Sequence, residues 1–574
     1  MATYKVEVRT GDMAHAGTID HIWVTLIGTE GQSEKTKLDV WGRDFRVGSV
    51  NPGLLFSEDL WYCCSVQVTT PEGAALLFPC YRWISRGEQV ELREATPIKV
   101  FEENIPLLKE HRQKELTEKK DLYKSHSLSS PAAEYTADHW RDDDFFGSQF
   151  LNGVNPMMIR SCKQLPPNFP VTNEMVQPFL DKCQSLQTAL KVLVIQLWRC
   201  WNKSSCTISP CDPGLCLLYL NSEKLLKPIA IQLYQQPAED NPVFLPSDSE
   251  TDWLLAKMFI RNTDIMDHQS VRHLLNTHML LEAFIISALR NLPTVHPFTR
   301  YMCLKNVLFK LRSPSIKQVQ WINPKIDFIK VPEFTKSEVT QRSLSELTYS
   351  DLCLPENITS RGLDSVPNFY YRDDGLKLWS IINRFVFFSR GGALLSLKHR
   401  RLRWVSADLS CSNITQFDPK SPSSGFPQSF SSLQDLVKFL TMVIFTSSAQ
   451  HAVVNNSQYD YISWTPNASL LLVTSPPSTK GQSNMQSILD AVPNVGDTAI
   501  LAILGWNLSK EYPHQIPLGS FPEEHFNEPA LKQMIKEFQA ELSYLNEAIT
   551  DRNLELQVPY TYLLPSQLEN GISR

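Results

Sequence analysis

Five polar side chains in two apolar segments have the residue types of a metal site. His268, His273 and His278 lie within DHQSVRHLLNTHMLLEAF, and His451 and Asn455 lie within TMVIFTSSAQHAVVNN. Burying several imidazoles in apolar helices is unfavourable unless their ring nitrogens are satisfied. Neutral histidines with one amide oxygen form a ligand set that suits iron or another first-row metal. Hydrogen-bonded core histidines explain the same pattern, and spacing alone leaves both interpretations open.

Helical spacing limits which of these residues can face one ion. His451 and Asn455 are four residues apart and share one face of a helix. His273 and His278 are five residues apart, which places them roughly 140° apart around a regular α-helix. They can meet one metal only if the helix carries an extra residue, as a π-bulge does. His268 also lies five residues from His273, so spacing does not exclude it.

Two other groups of residues could carry chemistry. Cys200, Cys206, Cys211 and Cys216 lack the closely spaced cysteine pair of structural zinc sites, which favours ordinary thiols over a zinc site. The run YRDDG at residues 371–375 holds paired carboxylates, and a salt-bridged helix cap or turn is the simpler interpretation. The chain has no HExxH zinc motif, no P-loop, no dinucleotide-binding glycine motif and no GxSxG.

The composition is that of a large folded protein. The chain has 574 residues, of which 42% are hydrophobic and 20% charged, and its formal net charge is −6. These values argue against a disordered chain and against a strongly basic nucleic-acid-binding surface. No apolar run reaches the roughly 18 residues of a membrane span, and the polar N-terminus lacks a signal core. Because twelve cysteines are scattered along a long chain, we expect reduced thiols and a cytoplasmic protein.

The sequence pattern changes along the chain from one typical of strands to one typical of helices. The first hundred residues alternate apolar and polar side chains between Gly and Asp turns, as at residues 4–9 and 22–27, which predicts short antiparallel strands. Residues 107–124 are charged and helix-prone, as in a solvated helix or linker. From about residue 133 the pattern is mostly helical, with long apolar segments at 253–289, 433–454 and 531–549.

The sequence therefore predicts an α+β multidomain protein. We expect a small N-terminal antiparallel β-sandwich over residues 1–105, a linker over 106–132 and a large, mainly α-helical domain over 133–574.

Several motifs resemble those of the animal lipoxygenases. WLLAK at residues 253–257, followed by His273-x4-His278, resembles the first iron-binding helix of that family, and residues 445–458 resemble the second. Further matching segments are FGSQFLNG at 146–153, NPVFLPSD at 241–248, YRDDG at 371–375 and PEEHF at 522–526. The N-terminal region, with TGD at 10–12, AGTID at 16–20 and FPCYRW at 78–83, is similar to the PLAT module of the family. The matches cover most of the chain in order and are closest to the epidermal and 15-type enzymes.

This resemblance implies one non-haem iron, and it places His268 outside the ligand set. The implied ligands are His273, His278, His451, Asn455 and the main-chain carboxylate of the C-terminal Arg574. No catalytic side chain is implied beyond the iron and its bound hydroxide, which removes a hydrogen from the substrate. The family reaction inserts O2 into the cis,cis-1,4-pentadiene of a polyunsaturated fatty acid and yields a hydroperoxide. Gln269, Leu274 and Leu508 match positions that flank the iron and the substrate.

The resemblance also implies partners and alternatives. The partners are a polyunsaturated fatty acid or its hydroperoxide, O2 and a membrane surface contacted by the PLAT-like domain. Trp83 is the candidate for membrane insertion, and packing between domains is its alternative role. Calcium assists membrane association in some relatives, although the loops here show no clear carboxylate cage. We expect a reversibly membrane-associated monomer that binds no nucleic acid.

Two functional alternatives remain beside the dioxygenase. A hydroperoxide isomerase uses the same iron to form epoxyalcohols or ketones from fatty acid hydroperoxides. A catalytically dead lipid- or membrane-binding relative is the alternative outside the enzymes, because the chain ends in Arg574 where the family ends in Ile. The match to the family also weakens in four stretches, at residues 50–61, 123–133, 298–345 and 383–422.

Overall fold

The alternating N-terminal sequence forms the predicted antiparallel strands. Strand β1 (Lys5–Thr10) alternates exposed and half-buried side chains and pairs with β6 (Trp61–Thr69), with Lys5 opposite Thr69. Strand β7 (Ala75–Ile84) completes a three-stranded sheet in the order β1-β6-β7. Trp61 and Cys63 of β6 are buried on one face of this sheet, which forms a small core.

The predicted strand over residues 22–27 is divided into two pieces. Strand β2 (Trp23–Val24) pairs with β5 (Thr36–Lys37), and β3 (Ile27–Gly28) pairs with β4 (Gly31–Gln32). Gly31 adopts a φ of 141°, a backbone conformation that side chains other than Gly rarely allow. The pairs are thus two short ladders rather than one long strand.

The chain divides into two compact units, Met1–Leu128 and Ser129–Arg574. This computed structural model describes residues 3–11, 16–18, 20–28, 31–38, 61–85, 87–92, 130–182, 184–189, 193–196, 214–282, 284, 343–388, 424–427, 430, 432–509, 516–521 and 529–572. Within the second unit the first helix, Pro131–His139, begins inside the segment predicted as a linker, and the side chain of Ser130 caps it. The predicted fold class is confirmed, with antiparallel sheets first and a mainly helical unit after them.

The second unit also contains a sheet that the sequence did not predict. Its five strands run in the order β12-β11-β10-β9-β8. Their bounds are β8 (Ile159–Ser161), β9 (Leu193–Gln196), β10 (Leu215–Leu220), β11 (Leu226–Gln232) and β12 (Val243–Phe244). Helix Asp143–Asn152 packs onto β11 so closely that a Cβ at Gly147 would lie 1.9 Å from the carbonyl oxygen of Leu226. Gly at this position therefore permits the contact between helix and sheet.

The described helices of the second unit surround one large apolar core. They are α1 (Pro131–His139), α2 (Asp143–Asn152), α3 (Asn173–Val176), α4 (Glu250–Asp267), the π-helix π1 (His268–Met279), α5 (Tyr349–Leu352), α6 (Leu354–Ser360), α7 (Tyr370–Phe388), α8 (Leu433–Phe445), the π-helix π2 (Thr446–Gln450), α9 (His451–Asn456), α10 (Gln458–Ile462), α11 (Met485–Ala491), α12 (Val495–Ser509) and α13 (Pro529–Asn553). Short 3-10 turns lie at Gln177–Phe179 and Pro565–Gln567.

Among the residues that the structure describes, one helical stretch is long and apolar enough to cross a membrane, by length and composition. It spans Leu433–Ile462, 30 residues with a mean hydropathy of 1.3, and 89% of its most apolar window is buried inside the protein. This burial is typical of the central helix of a folded core, and the stretch carries His451 and Asn455 into that core.

Candidate metal centre

The first histidine-bearing helix changes its winding where the histidines begin. Helix α4 (Glu250–Asp267) is capped by Ser249, whose hydroxyl accepts a hydrogen bond from the backbone N–H of Asp252. The helix then continues directly into π1, which contains both His273 and His278. The wider π turn brings residues five apart onto one face, as the spacing of these two histidines requires.

The second histidine-bearing helix carries a π segment as well. Helix α8 begins with a capping box in which Ser432 and Asp435 bond each other's backbone N–H groups. The segment π2 follows and ends at Gln450, directly before His451. Nothing in the sequence indicated π2, because the four-residue spacing of His451 and Asn455 fits a regular helix.

The two π segments bring three histidines together. Ligand-capable nitrogens of His273, His278 and His451 all lie within 4.8 Å of one another. The Nε2 atoms of His273 and His278 are 3.0 Å apart. The ring centroid of His451 lies 4.9 Å from that of His278 and 5.7 Å from that of His273. The Asn455 side chain lies close enough to His273 to raise its pKa, so the fourth predicted side chain lies at the same place.

The position of the proton on His273 leaves one ring nitrogen free to bind a metal. Its Nδ1 lies 3.3 Å from the amide oxygen Oε1 of Gln269, and an amide oxygen can only accept. Nδ1 therefore carries the proton and donates it, which leaves Nε2 with its lone pair toward His278. Burial, followed by the neighbouring histidine charges, holds the pKa of His273 well below its usual range. Burial lowers the pKa of His278 to about 4.

These observations fit a first-row metal such as iron. The three imidazoles are buried, and burial favours the neutral, ligating form of His273 and His278. Gln269 fixes the tautomer of His273 through the ring nitrogen that faces away from the cluster, an arrangement that recurs at metal-binding histidines.

His268 has a different environment. Its Nε2 donates to the backbone carbonyl of Val454 at 2.7 Å, and its ring centroid lies 6.0 Å from that of His273. Burial lowers the pKa of His268 to about 4. It lies outside the three-histidine cluster and serves as a bridge from π1 to α9.

The three predicted flanking residues lie beside the cluster in different ways. Gln269 bonds His273 and also donates to the side chain of Gln458. The backbone carbonyl of Leu508 accepts a hydrogen bond of 2.6 Å from Nδ2 of Asn455, so Leu508 orients the amide through its main chain. Leu274 is half-buried on π1. Gln458 was not found from the sequence, because nothing in its spacing distinguishes it from other helix residues.

Several predicted features lie outside the described residues. These are the terminal carboxylate of Arg574, the cysteines Cys200, Cys206 and Cys211, and most of the stretches 298–345 and 383–422. Cys216 is described and is buried in β10. Ile572 is also described and buried, two residues before the C-terminal residue.

The YRDDG run at residues 371–375 forms ion pairs, as the simpler interpretation expects. Arg372 pairs with Asp373 at 2.6 Å, and the buried Asp374 accepts from Arg552 at 2.7 Å through both carboxylate oxygens. Both acids are thus engaged in structural pairs at the start of α7.

Trp83 lies on β7 in the first unit. Its side chain is 39% exposed, and its ring packs edge-on against Tyr62 with centroids 5.3 Å apart. Leu77 and Tyr81 are exposed on the same strand.

Comparison with known protein families decides the classification. The family model described as Lipoxygenase matches residues 214–308 and 345–561, and the one described as PLAT/LH2 domain matches residues 4–93. The chain belongs to the lipoxygenase family. The family and its fold indicate an iron-dependent oxidoreductase, and the predicted PLAT domain is confirmed.

Named relatives of this lipoxygenase match along its whole length. "Hydroperoxide isomerase ALOXE3" from Mus musculus is 34% identical, and the match covers 100% of each chain. "Arachidonate 12-lipoxygenase, 12R-type" from Mus musculus is 32% identical with the same coverage. The solved structure of a calcium-dependent 11R-lipoxygenase superposes with a TM-score of 0.68 at 27% identity and covers 100% of both chains. The predicted similarity to the epidermal branch is confirmed.

The relatives carry segments that this lipoxygenase lacks. Its alignment with the mouse isomerase extends over 717 positions, whereas the chain has 574 residues.

Proposed function

We propose that this lipoxygenase binds one non-haem iron and inserts O2 into the cis,cis-1,4-pentadiene of a polyunsaturated fatty acid, giving a hydroperoxide. The ligands in this proposal are His273, His278, His451, Asn455 and the main-chain carboxylate of Arg574. The convergence of three buried histidines, two from π1 and one directly after π2, is the observation that carries it.

Iron held there would supply one-electron chemistry for hydrogen removal from the central methylene of the pentadiene. The task of the protein is then to hold and orient the ligands. Gln269 and Gln458 form a hydrogen-bonded pair that ends on His273, and Leu508 orients the Asn455 amide. Such partners of metal ligands fix ring orientation and tune metal affinity.

The second task is to keep water from a carbon radical. The metal-binding helices lie in the large apolar core, where apolar walls hold an acyl chain and exclude solvent. We place Gln269, Leu274 and Leu508 beside the acyl chain, in keeping with their positions around the cluster.

Oxygen uptake tests this proposal. Purified full-length protein is supplied with ferrous salt and a free polyunsaturated fatty acid. We expect one O2 consumed per fatty acid, with appearance of the conjugated diene of a hydroperoxide. No uptake from any of several fatty acids, by protein that holds iron, would contradict the dioxygenase proposal.

A hydroperoxide isomerase is the second candidate, favoured by the 34% identity to the mouse isomerase. The same four side chains would serve it, so the ligand set does not separate the two reactions. Added fatty acid hydroperoxide separates them, because an isomerase consumes it without O2 and forms an epoxyalcohol or ketone. A catalytically dead relative would consume neither substrate.

The first unit supports a proposal about location. A PLAT domain with exposed apolar side chains on β7 suits reversible docking to a membrane surface, with Trp83 inserted among the lipid headgroups. We propose a cytoplasmic monomer that docks in this way. Calcium assistance is suggested by the similarity to the calcium-dependent 11R-lipoxygenase.

A further inference from the structure

One side chain of the YRDDG run is not explained by ion pairing. Tyr371 is 1% exposed, and its hydroxyl donates to the amide oxygen Oε1 of Gln450 at 2.6 Å. Gln450 is the last residue of π2 and directly precedes His451. Burial raises the pKa of Tyr371 to about 12, so the phenol keeps the proton that it donates.

Tyr371 contacts the end of π2, where a change in helical winding would rotate the metal ligands that follow. A π turn holds one more residue than an α turn and is less stable in isolation. If π2 relaxed to regular α-helix, every residue after it would rotate by about 100° relative to α8. His451 and Asn455 would then turn away from His273 and His278. Something outside the helix must therefore hold the end of π2.

Tyr371 is itself firmly held. The backbone N–H groups of Tyr370 and Tyr371 both lie near the side-chain oxygen of Asn152, at 2.8 and 3.4 Å, which caps the start of α7. One turn later, a Cβ at Gly375 would lie 2.7 Å from Leu354 and 3.7 Å from Phe445, the last residue of α8.

Gln450 has a second partner at its other end. Its Nε2 donates to the sulfur of Met157 at 3.3 Å. The amide that ends π2 is thus held between a phenol from α7 and a thioether from the segment after α2.

We infer that Tyr371 is a positioning residue for the metal site, fixing the end of π2 through Gln450 so that His451 and Asn455 face the other two histidines. The inference rests on the proposed function, because it assigns Tyr371 a role in holding that metal. It also gives the YRDDG run a role beyond ion pairing, since the tyrosine acts on the ligands while the two acids tie the helix in place.

The test uses the full chain, freed of metal by a chelator and titrated with Co²⁺, whose visible spectrum reports coordination. Tyr371→Phe removes only the donor hydroxyl. We expect it to weaken Co²⁺ binding by about tenfold to a hundredfold, the range typical of partners of metal ligands. We also expect a changed Co²⁺ spectrum and only a modest fall in the melting temperature of the metal-free protein, because Gln450 loses one buried hydrogen bond.

Tyr370→Phe is the matched control, since it removes a hydroxyl one residue earlier on the same helix. The Tyr370 ring packs against Tyr560 and Arg552 rather than against π2. A double mutant with Gln450→Leu completes a cycle. It should lose no more affinity than Gln450→Leu alone, because the Tyr371 hydroxyl then has no amide to bond.

Wild-type affinity and spectrum in Tyr371→Phe would overturn the inference, as would an equal loss in Tyr370→Phe. A lower melting temperature of metal-free Tyr371→Phe with unchanged Co²⁺ binding would assign Tyr371 to stability alone. If the wild-type protein bound no Co²⁺ or Fe²⁺, the proposed function itself would fall, and the wild-type titration distinguishes that case from the others.

Discussion

Among single residues, the three histidines of π1 share the same spacing but not the same role. His268 and His278 each lie five residues from His273, yet only His278 joins the cluster. Residue types and spacing named five candidate side chains, and the resemblance to the lipoxygenases set His268 aside and left four. They did not find Tyr371 and Gln450, because 79 residues separate these two and only the folded chain brings them together.

The first prediction compares these two histidines. His278→Leu removes a ligand, and we expect its iron content to fall close to zero after loading with ferrous salt. His268→Leu removes the hydrogen bond to the Val454 carbonyl and is expected to retain iron while losing stability. Elemental analysis of both folded variants checks this, and equal iron contents would contradict the assigned roles.

The second prediction concerns pH in the metal-free protein. Burial lowers the pKa of His268 and of His278 to about 4 in the folded chain, against about 6.5 when unfolded. Between these values the unfolded chain binds more protons than the folded one, so acid favours unfolding. The stability that depends on keeping these two histidines neutral is fully present above pH 6.5 and is lost as the pH falls toward 4. Urea unfolding at several pH values should show this fall, and His268→Leu should make it shallower.

Among the elements, two ion pairs join α7 and α13, and the buried pair should stabilise the fold more than the exposed pair. Arg552 of α13 contacts both oxygens of Asp374, whose side chain is 1% exposed. Arg384 of α7 pairs with Glu541 of α13, and these side chains are 49% and 39% exposed.

The third prediction follows from that difference. Arg552→Met leaves a buried carboxylate without its partner, and we expect a loss of about 3–5 kcal/mol in the free energy of unfolding of the second unit. Arg384→Met breaks a solvated pair between the same two helices and should lose about 0–1 kcal/mol. Shifts of the urea midpoint measure both. Equal shifts of the urea midpoint would show that burial does not determine how much each ion pair stabilises the protein.

The elements also show where sequence reasoning stops. Amphipathic helices and alternating strands were predicted because their periods are visible in the sequence. The five-stranded sheet was missed, since β10 is buried on both faces and does not alternate. The π segment π2 was missed because no residue pair within it has a spacing that demands one.

In the whole molecule, we propose that the first unit contacts the membrane and that the second unit holds the metal site. The fourth prediction is that Trp83→Ser weakens binding to phospholipid vesicles and leaves iron content unchanged. Trp23→Ser is the matched control, since Trp23 is 49% exposed in the same unit but lies on β2 beneath Lys35. Co-sedimentation with vesicles measures both, and equal losses would argue against a specific role for Trp83.

The iron content of purified full-length protein, determined by elemental analysis after exposure to ferrous salt, tests whether these residues form a metal site. We expect close to one iron per chain, because His273, His278, His451 and Asn455 converge in one buried place. Essentially no iron in well-folded protein would contradict it, and would leave a member of the lipoxygenase family that does not perform the chemistry of that family.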